Sequence, residues 1–324
     1  MKHALATLIP LCAIGFLGFW ISTLVLGKIP TGPVSTTEMN DDFSISSDWE
    51  LNHAVNNEEF TSEIAANPNL IIELSDATAR IEPHNSENIE VYVKNTSSRT
   101  LNVNLERDKD KSTKIKIGSS FRFGIFNFNF FEIFTTGSIS DRQVVIKVPQ
   151  KTFDSVKIAQ GSGKVNIIKL QAKAYDVDLG SGQLDFEREI DDTRPVFALD
   201  MGSGNAKFTG FRTSEYSVNI GSGNCRIDNL MGSGKLAMGS GSADISFDSS
   251  PEGKFDMGSG HAILTVPDNS DTKFDFDIGS GSIEVKGNAS TQKYSKDSEY
   301  IMGTGSSRFN IDLGSGKVEI ETKH

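Results

Sequence analysis

The tripeptide Gly-Ser-Gly occurs nine times after residue 160, starting at Gly161, Gly180, Gly202, Gly221, Gly232, Gly239, Gly258, Gly279 and Gly314. Gly303-Thr304-Gly305 is a variant tenth copy. The steps are 19, 22, 19, 11, 7, 19, 21, 24 and 11 residues, so the common step is about 20 with two split units. The flanks repeat as well. An apolar residue precedes nearly every copy, as at Leu179, Met201, Ile220, Met257, Ile278 and Leu313, with Gln160 the departure. Apolar residues also stand three places before (Ile158, Val177, Leu199, Val218) and five before (Val156, Tyr175, Phe197, Tyr216). After the motif they take the second and fourth places: Val165 and Ile167, Leu184 and Phe186, Cys225 and Ile227.

Alternation with period two on both sides of a glycine marks strands with one buried face. A unit of about 20 residues cannot bury its apolar face alone, but stacked units share a core. The expected fold is all-β: a β-solenoid, parallel β-helix-like, built from strand–Gly-Ser-Gly–strand repeats. An antiparallel meander or sandwich is the alternative; constant corners favour the solenoid because identical corners stack in register. The structural corners are Gly161 and Gly163, Gly180 and Gly182, Gly202 and Gly204, Gly221 and Gly223, Gly258 and Gly260, Gly279 and Gly281, and Gly314 and Gly316. Glycine is expected there for its access to positive φ and for close backbone approach. The serines are not nucleophile elbows, which read Gly-x-Ser-x-Gly and occur once per domain.

Upstream, 70–74, 79–81, 89–93, 101–105, 115–117 and 144–149 also alternate, without Gly-Ser-Gly. They are expected to form irregular first coils and an N-terminal cap. Residues 4–27 carry no charge, and a bilayer crossing needs ~20 apolar residues. The segment reads as an uncleaved transmembrane helix, N-in and C-out; a cleaved signal is the alternative, with a poor cleavage site at Val25-Leu26-Gly27. The proline- and acid-containing stretch that follows reads as a tether, in which 48–55 has room for a helical turn or two. The chain thus divides into an anchor (1–28), a tether (29–69), irregular coils with a Phe-rich cap (70–150) and the Gly-Ser-Gly solenoid (151–324). The location implied is the cell membrane, single-pass, with the body extracytoplasmic.

The formal net charge of -11 disfavours nucleic acid as a partner, which requires clustered Lys and Arg. The two cysteines, Cys12 and Cys225, lie in the apolar N-terminus and in the repeats, an implausible disulfide pair. The five histidines are scattered and no Cys/His cluster exists; no metal and no cofactor is expected. Cys225 stands where other repeats place Val, Leu or Ala, so it reads as a small core residue.

The run 144–167, VVIKVPQKTFDSVKIAQGSGKVNI, resembles a bacterial β-strand-repeat family of putative adhesins, a domain of unknown function. The likeness extends over about 70–323 and includes the repeats, which look like head domains of putative autotransporter adhesins. The resemblance implies the solenoid, no catalytic residues, and a membrane-anchored envelope protein. Some members stand near envelope-stress systems of Gram-positive bacteria.

Three features stand apart from the repeat. Residues 121–134 hold Phe121, Phe123, Phe126, Phe128, Phe130, Phe131 and Phe134, 7 of the 21 phenylalanines. Such a stretch either caps a solenoid end or forms an exposed aromatic contact for a membrane or partner. Asp178, Asp200, Asn219, Asp256, Asp277 and Asp312 recur two places before the motif. They suit side-chain bonds to the corner amides; a calcium ladder is the sharper reading. Glu187-Arg188-Glu189-Ile190-Asp191-Asp192 reads as a solvated loop, with paired glycosidase carboxylates the alternative. The expected function is a non-enzymatic surface binding or scaffold protein, or an accessory to envelope-stress signalling, in contact with membrane, envelope protein or polysaccharide. Alternatives are a carbohydrate-active β-helix enzyme and a self-assembling filament, which requires an uncapped C-terminal coil at 314–320.

Overall fold

The computed structural model describes residues 49–108, 111–119, 141–287 and 290–323. Among these there are strands and no helix. They build two sheets of 13 strands each and a small third sheet formed by Thr152–Phe153 and Gln171–Ala172. Each corner joins a strand of the first sheet to a strand of the second. Ser155–Gln160, for example, turns at 161–163 into Lys164–Ile168. Such a strand pair is called a rung below.

Neighbouring rungs are parallel and in register, which places repeat positions in columns. Val156, Tyr175, Phe197 and Tyr216 form one column of the first sheet; Ile158, Val177, Leu199 and Val218 form the next. Facing them in the second sheet are Val165, Leu184, Ala206, Cys225, Ala243 and Ala262. These residues belong to one buried cluster. The period-two flanks therefore supply the core of a solenoid-like body. Loop residue Phe211 completes it, 4.8 Å from Phe197 and 5.1 Å from both Phe186 and Phe208 by ring centroids.

The corners need glycine for clearance. Of the Gly-Ser-Gly corner glycines, Gly163 alone has positive φ, at 110°; the expectation of positive φ fails at the rest. Every corner instead lies directly on the neighbouring one: Gly180 N–H donates to Gln160 O at 2.8 Å and Gly202 N–H to Leu179 O at 2.8 Å. A Cβ on Gly180 would lie 2.8 Å from Gly161 O, and one on Gly204 would lie 2.5 Å from Gly182 O. Among the described three-residue corners, glycine is missing from 75–77, Ser-Asp-Ala, the corner of the rung Asn69–Leu74/Thr78–His84. On its far side the next rung has no three-residue corner to collide with.

Two copies of the tripeptide are not corners. Gly232-Ser233-Gly234 leads into the strand Ser233–Met238. There Gly234 lies between Tyr216 and Gly253 in the column that also holds Tyr175, Phe197 and Phe309. A Cβ on Gly234 would meet the Tyr216 ring at 2.6 Å, and the Tyr216 hydroxyl reaches Glu252 O at 3.1 Å. The glycine makes room for a ring that spans its rung. Gly303-Thr304-Gly305 is a turn between Ser298–Ile301 and Ser307–Leu313. It wraps the Asp271 carboxylate, which accepts from Gly305 N–H at 2.6 Å and from the Thr304 hydroxyl at 2.9 Å.

Stacking order departs from chain order at the C-terminal end. The final rung, Ser307–Leu313/Lys317–Lys323, lies between the earlier rungs Glu252–Met257/His261–Pro267 and Thr272–Ile278/Ser282–Lys286. Outside it, Ser298–Ile301 and Thr291–Tyr294 close the two sheets as antiparallel edges. The 314–320 coil is thus internal and covered, which removes the requirement of the filament reading.

At the other end, the tether expected over 29–69 is overturned for its last part. Trp49–Val55 and Glu58–Ala65 are strands, so 49–55 is extended where a helical turn or two was expected. They pair antiparallel with Leu101–Arg107 and Asn88–Asn95 as outer edges of the two sheets. Their inward residues include polar His53 and Ser62 between Leu51, Val55, Phe60 and Ile64, which masks the alternation. The expected anchor lies outside the described residues. Among the described residues no helix is long and apolar enough to cross a membrane.

Candidate contact surfaces

The phenylalanines Phe121, Phe123, Phe126, Phe128, Phe130, Phe131 and Phe134 lie outside the described residues. Ser112–Gly118 and Arg142–Pro149 form a rung, with Ile117 beside Leu74 and Gln143 beside Thr78. Where 75–77 make one corner, residues 119–141 therefore join the two strands of the next rung. Asp76 holds both ends of that connection. Its carboxylate accepts from Ser119 N–H at 3.0 Å and from the Ser119 hydroxyl, and pairs with the Arg142 guanidinium. Burial alone would raise the Asp76 carboxyl. The Ser119 and Ser75 hydroxyls, the Ser119 amide and Arg142 together outweigh it and hold the group below the usual carboxylate range. Sequence reading missed Asp76. The signal was present: Leu70, Ile72, Leu74, Ala79 and Ile81 stand at the flank positions of a Gly-Ser-Gly corner.

The outer face of the first sheet carries the acidic column. Asp178, Asp200 and Asn219 lie in register, as do Asp256, Asp312 and Asp277. The corner amides are taken by carbonyls of neighbouring rungs, so the expected side-chain bonds to those amides are not made. Lysines offset the charge instead: Lys157 bridges Asp176 at 2.8 Å and Asp178 at 3.2 Å, and Lys254 pairs with Asp256 at 2.5 Å. Asp178 titrates above the usual range through burial, helped by Asp176 and Asp200 and opposed by Lys157. Among the described residues no group of three His, Cys, Asp or Glu side chains is placed to hold a metal ion.

The outer face of the second sheet is different. Gln183, Asn205, Asn224 and Ser242 form one column, and Asp185, Lys207, Arg226 and Asp244 the next. They border a shallow concavity of about 290 Å³. Nearer the C-terminal end this face is stitched by ions. Glu319, 8% exposed, binds Lys286, Lys317 at 2.9 Å and His261 at 2.9 Å; Lys317 also reaches Glu284 at 2.8 Å. Lys286 first, then Lys317, hold the Glu319 carboxyl down at about 2. Because its folded value lies below its ordinary one, its stabilisation is full above that ordinary value and is lost as pH falls toward about 2. The melting temperature is therefore expected to drop on acidification from about pH 5 to about pH 2. The drop should be smaller in Glu319→Gln, which starts lower at neutral pH; an unchanged slope would contradict the assignment.

The 187–192 loop is not simply solvated. The Arg188 side chain is fully buried beneath it, donating to Gly210 O at 3.3 Å and to Asp191 Oδ1 at 2.7 Å, and to the Thr193 hydroxyl. Asp191 is engaged in that bond and is not one of a pair of free carboxylates. Cys225 is buried at 3% exposure beside Ala206 and Ala243, and burial pushes its thiol up to about 12.

The family model described as Toastrack DUF4097 matches residues 67–321. The chain belongs to the Toastrack DUF4097 family. Its match runs from the rung Asn69–Leu74/Thr78–His84 into the strand Lys317–Lys323 and leaves the edge strands Trp49–Val55 and Glu58–Ala65 outside. Among solved structures, the Toastrack chain is similar to a putative cell adhesion protein from Clostridium sporogenes, with 15% identity, 86% of this chain and 100% of that one covered, and TM-score 0.25. It is also similar to a putative adhesin from Bacteroides fragilis, with 11% identity, 81% and 97% covered, and TM-score 0.43. No curated protein matches the chain.

Proposed function

We propose that this Toastrack protein is a non-enzymatic binding body, held at a bacterial cell membrane by residues 4–27, that meets its partner through the aromatic segment 121–134. The partner is an envelope protein, such as a component of envelope-stress signalling, or the membrane surface itself. One observation supports this reading above the others. The segment falls within the connection between two strands of a regular rung, at a position where neighbouring rungs need three residues, and Asp76 binds Ser119 and Arg142 on either side of it. Among the described residues the core columns are filled rung by rung. Seven rings bring more apolar area than any loop between repeats, at ~25 cal/mol per Å² buried.

The test is a Phe126→Ser/Phe128→Ser double variant of the full-length protein. The expected result is an unchanged melting temperature with reduced retention of envelope partners after mild detergent extraction. A variant lacking 4–27 reports on anchoring in the same experiment and should leave the membrane fraction. A fall of about 5 °C or more in melting temperature with partner retention intact would make the segment a cap and overturn the contact reading. No change in either quantity would also overturn it.

A further inference from the structure

The concavity on the second sheet is bordered by exposed amide side chains, Gln183, Asn205 and Asn224, with unfilled hydrogen-bonding capacity. Asn224 Nδ2 donates to Asn205 Oδ1 at 2.9 Å. This leaves the Asn205 NH2 group and the Asn224 carbonyl oxygen without a protein partner, and Gln183 in the next rung keeps both its donor and its acceptor. Each amide offers a donor and an acceptor side by side. Rungs repeat them at about 4.8 Å, so a polymer laid along the stack meets similar groups at each step.

The second column decides against charged occupants. It reads Asp185, Lys207, Arg226, Asp244, two acids and two bases. Arg226 is already engaged by Asp244 at 3.3 Å and Asp228 at 3.1 Å. A polyanion needs a clustered positive surface, and an apolar peptide needs an apolar patch; neither is present. We propose that this face binds a neutral, unbranched glycan running across the strands from Gln183 toward Ser242. Paired ring hydroxyls donate to and accept from the amides, and Lys207, which makes no ion pair, donates to a further hydroxyl. The site is separate from the aromatic segment and does not rest on it.

Calorimetric titration of the full-length protein in detergent, with cellohexaose and with chitohexaose, tests this. Saturable binding of at least one is expected. Asn205→Ala/Asn224→Ala, altering exposed side chains, should weaken it about tenfold, in line with the loss of two hydrogen bonds, with the melting temperature unchanged. Phe126→Ser/Phe128→Ser should bind the hexasaccharide as the parent does, which separates this site from the aromatic contact. The proposal is overturned if neither hexasaccharide saturates, if the double Asn variant binds equally well, or if polygalacturonate binds more tightly than both.

Discussion

Gly223→Val is expected to destabilise the protein by about 3 kcal/mol and to lower its melting temperature by roughly 10 °C. A Cβ at this position would be driven into the Gly204 carbonyl oxygen and would stand 2.9 Å from Met201 Cε. The carbonyl belongs to backbone that is itself hydrogen-bonded to its neighbours, so relief requires two rungs to separate. Gly223 does not have positive φ, which gives the prediction its discriminating arm. Asn tolerates left-handed backbone better than Val does. If φ were the constraint, Gly223→Asn would be markedly milder; with clearance as the constraint, both variants melt early. A Val variant within about 1 kcal/mol of the parent by thermal denaturation would refute the stacked-corner account.

Arg188→Ala should cost about 3 kcal/mol or more, because it removes the centre of a buried polar network. The guanidinium bonds Gly210 O, Asp191 Oδ1 and both oxygens of Thr193. Without it, Gly210 O loses a donor in the interior and the 188–195 loop loses its internal brace. Arg188→Lys should not rescue: a single ammonium nitrogen cannot occupy both places from which guanidinium Nη1 reaches Gly210 O and Nη2 reaches Asp191 and Thr193. Glu189→Ala, in the same loop but exposed, should be close to neutral. Equal effects from Arg188→Ala and Glu189→Ala in denaturant unfolding would show that the network contributes nothing.

What the sequence announces and what it hides follow different physics. Apolar columns are a local matter: Tyr175, Val177 and Leu179 alternate because one side of their strand faces the core, and that alternation reads directly. Neighbour relations are not local. The rung Ser307–Leu313/Lys317–Lys323 has the same flanks as its fellows, so nothing in its pattern says that it sits between two earlier rungs. Gly232-Ser233-Gly234 reads like a corner because glycine serves equally to admit the Tyr216 ring. Asp76 lay hidden because its corner has no glycine, although its flanks had the right spacing. Arg188 was misread because a charged residue among Glu189 and Asp191 looks solvated; only the position of Gly210 O beneath the loop reveals the buried partner.

The internal place of the last rung has a consequence for how the chain is completed. During synthesis, Glu252–Met257 and Thr272–Ile278 are both finished before the strand that separates them exists. Until Ser307–Leu313 and Lys317–Lys323 emerge, the two sheets end on open edges or hold a shortcut in which those earlier rungs pair with each other. Residues 307–323 therefore act as a wedge whose arrival separates two rungs that were made before it. A chain that stops early should forfeit more than its missing length, since the rung beyond the gap and both edge strands that close it lose their support together.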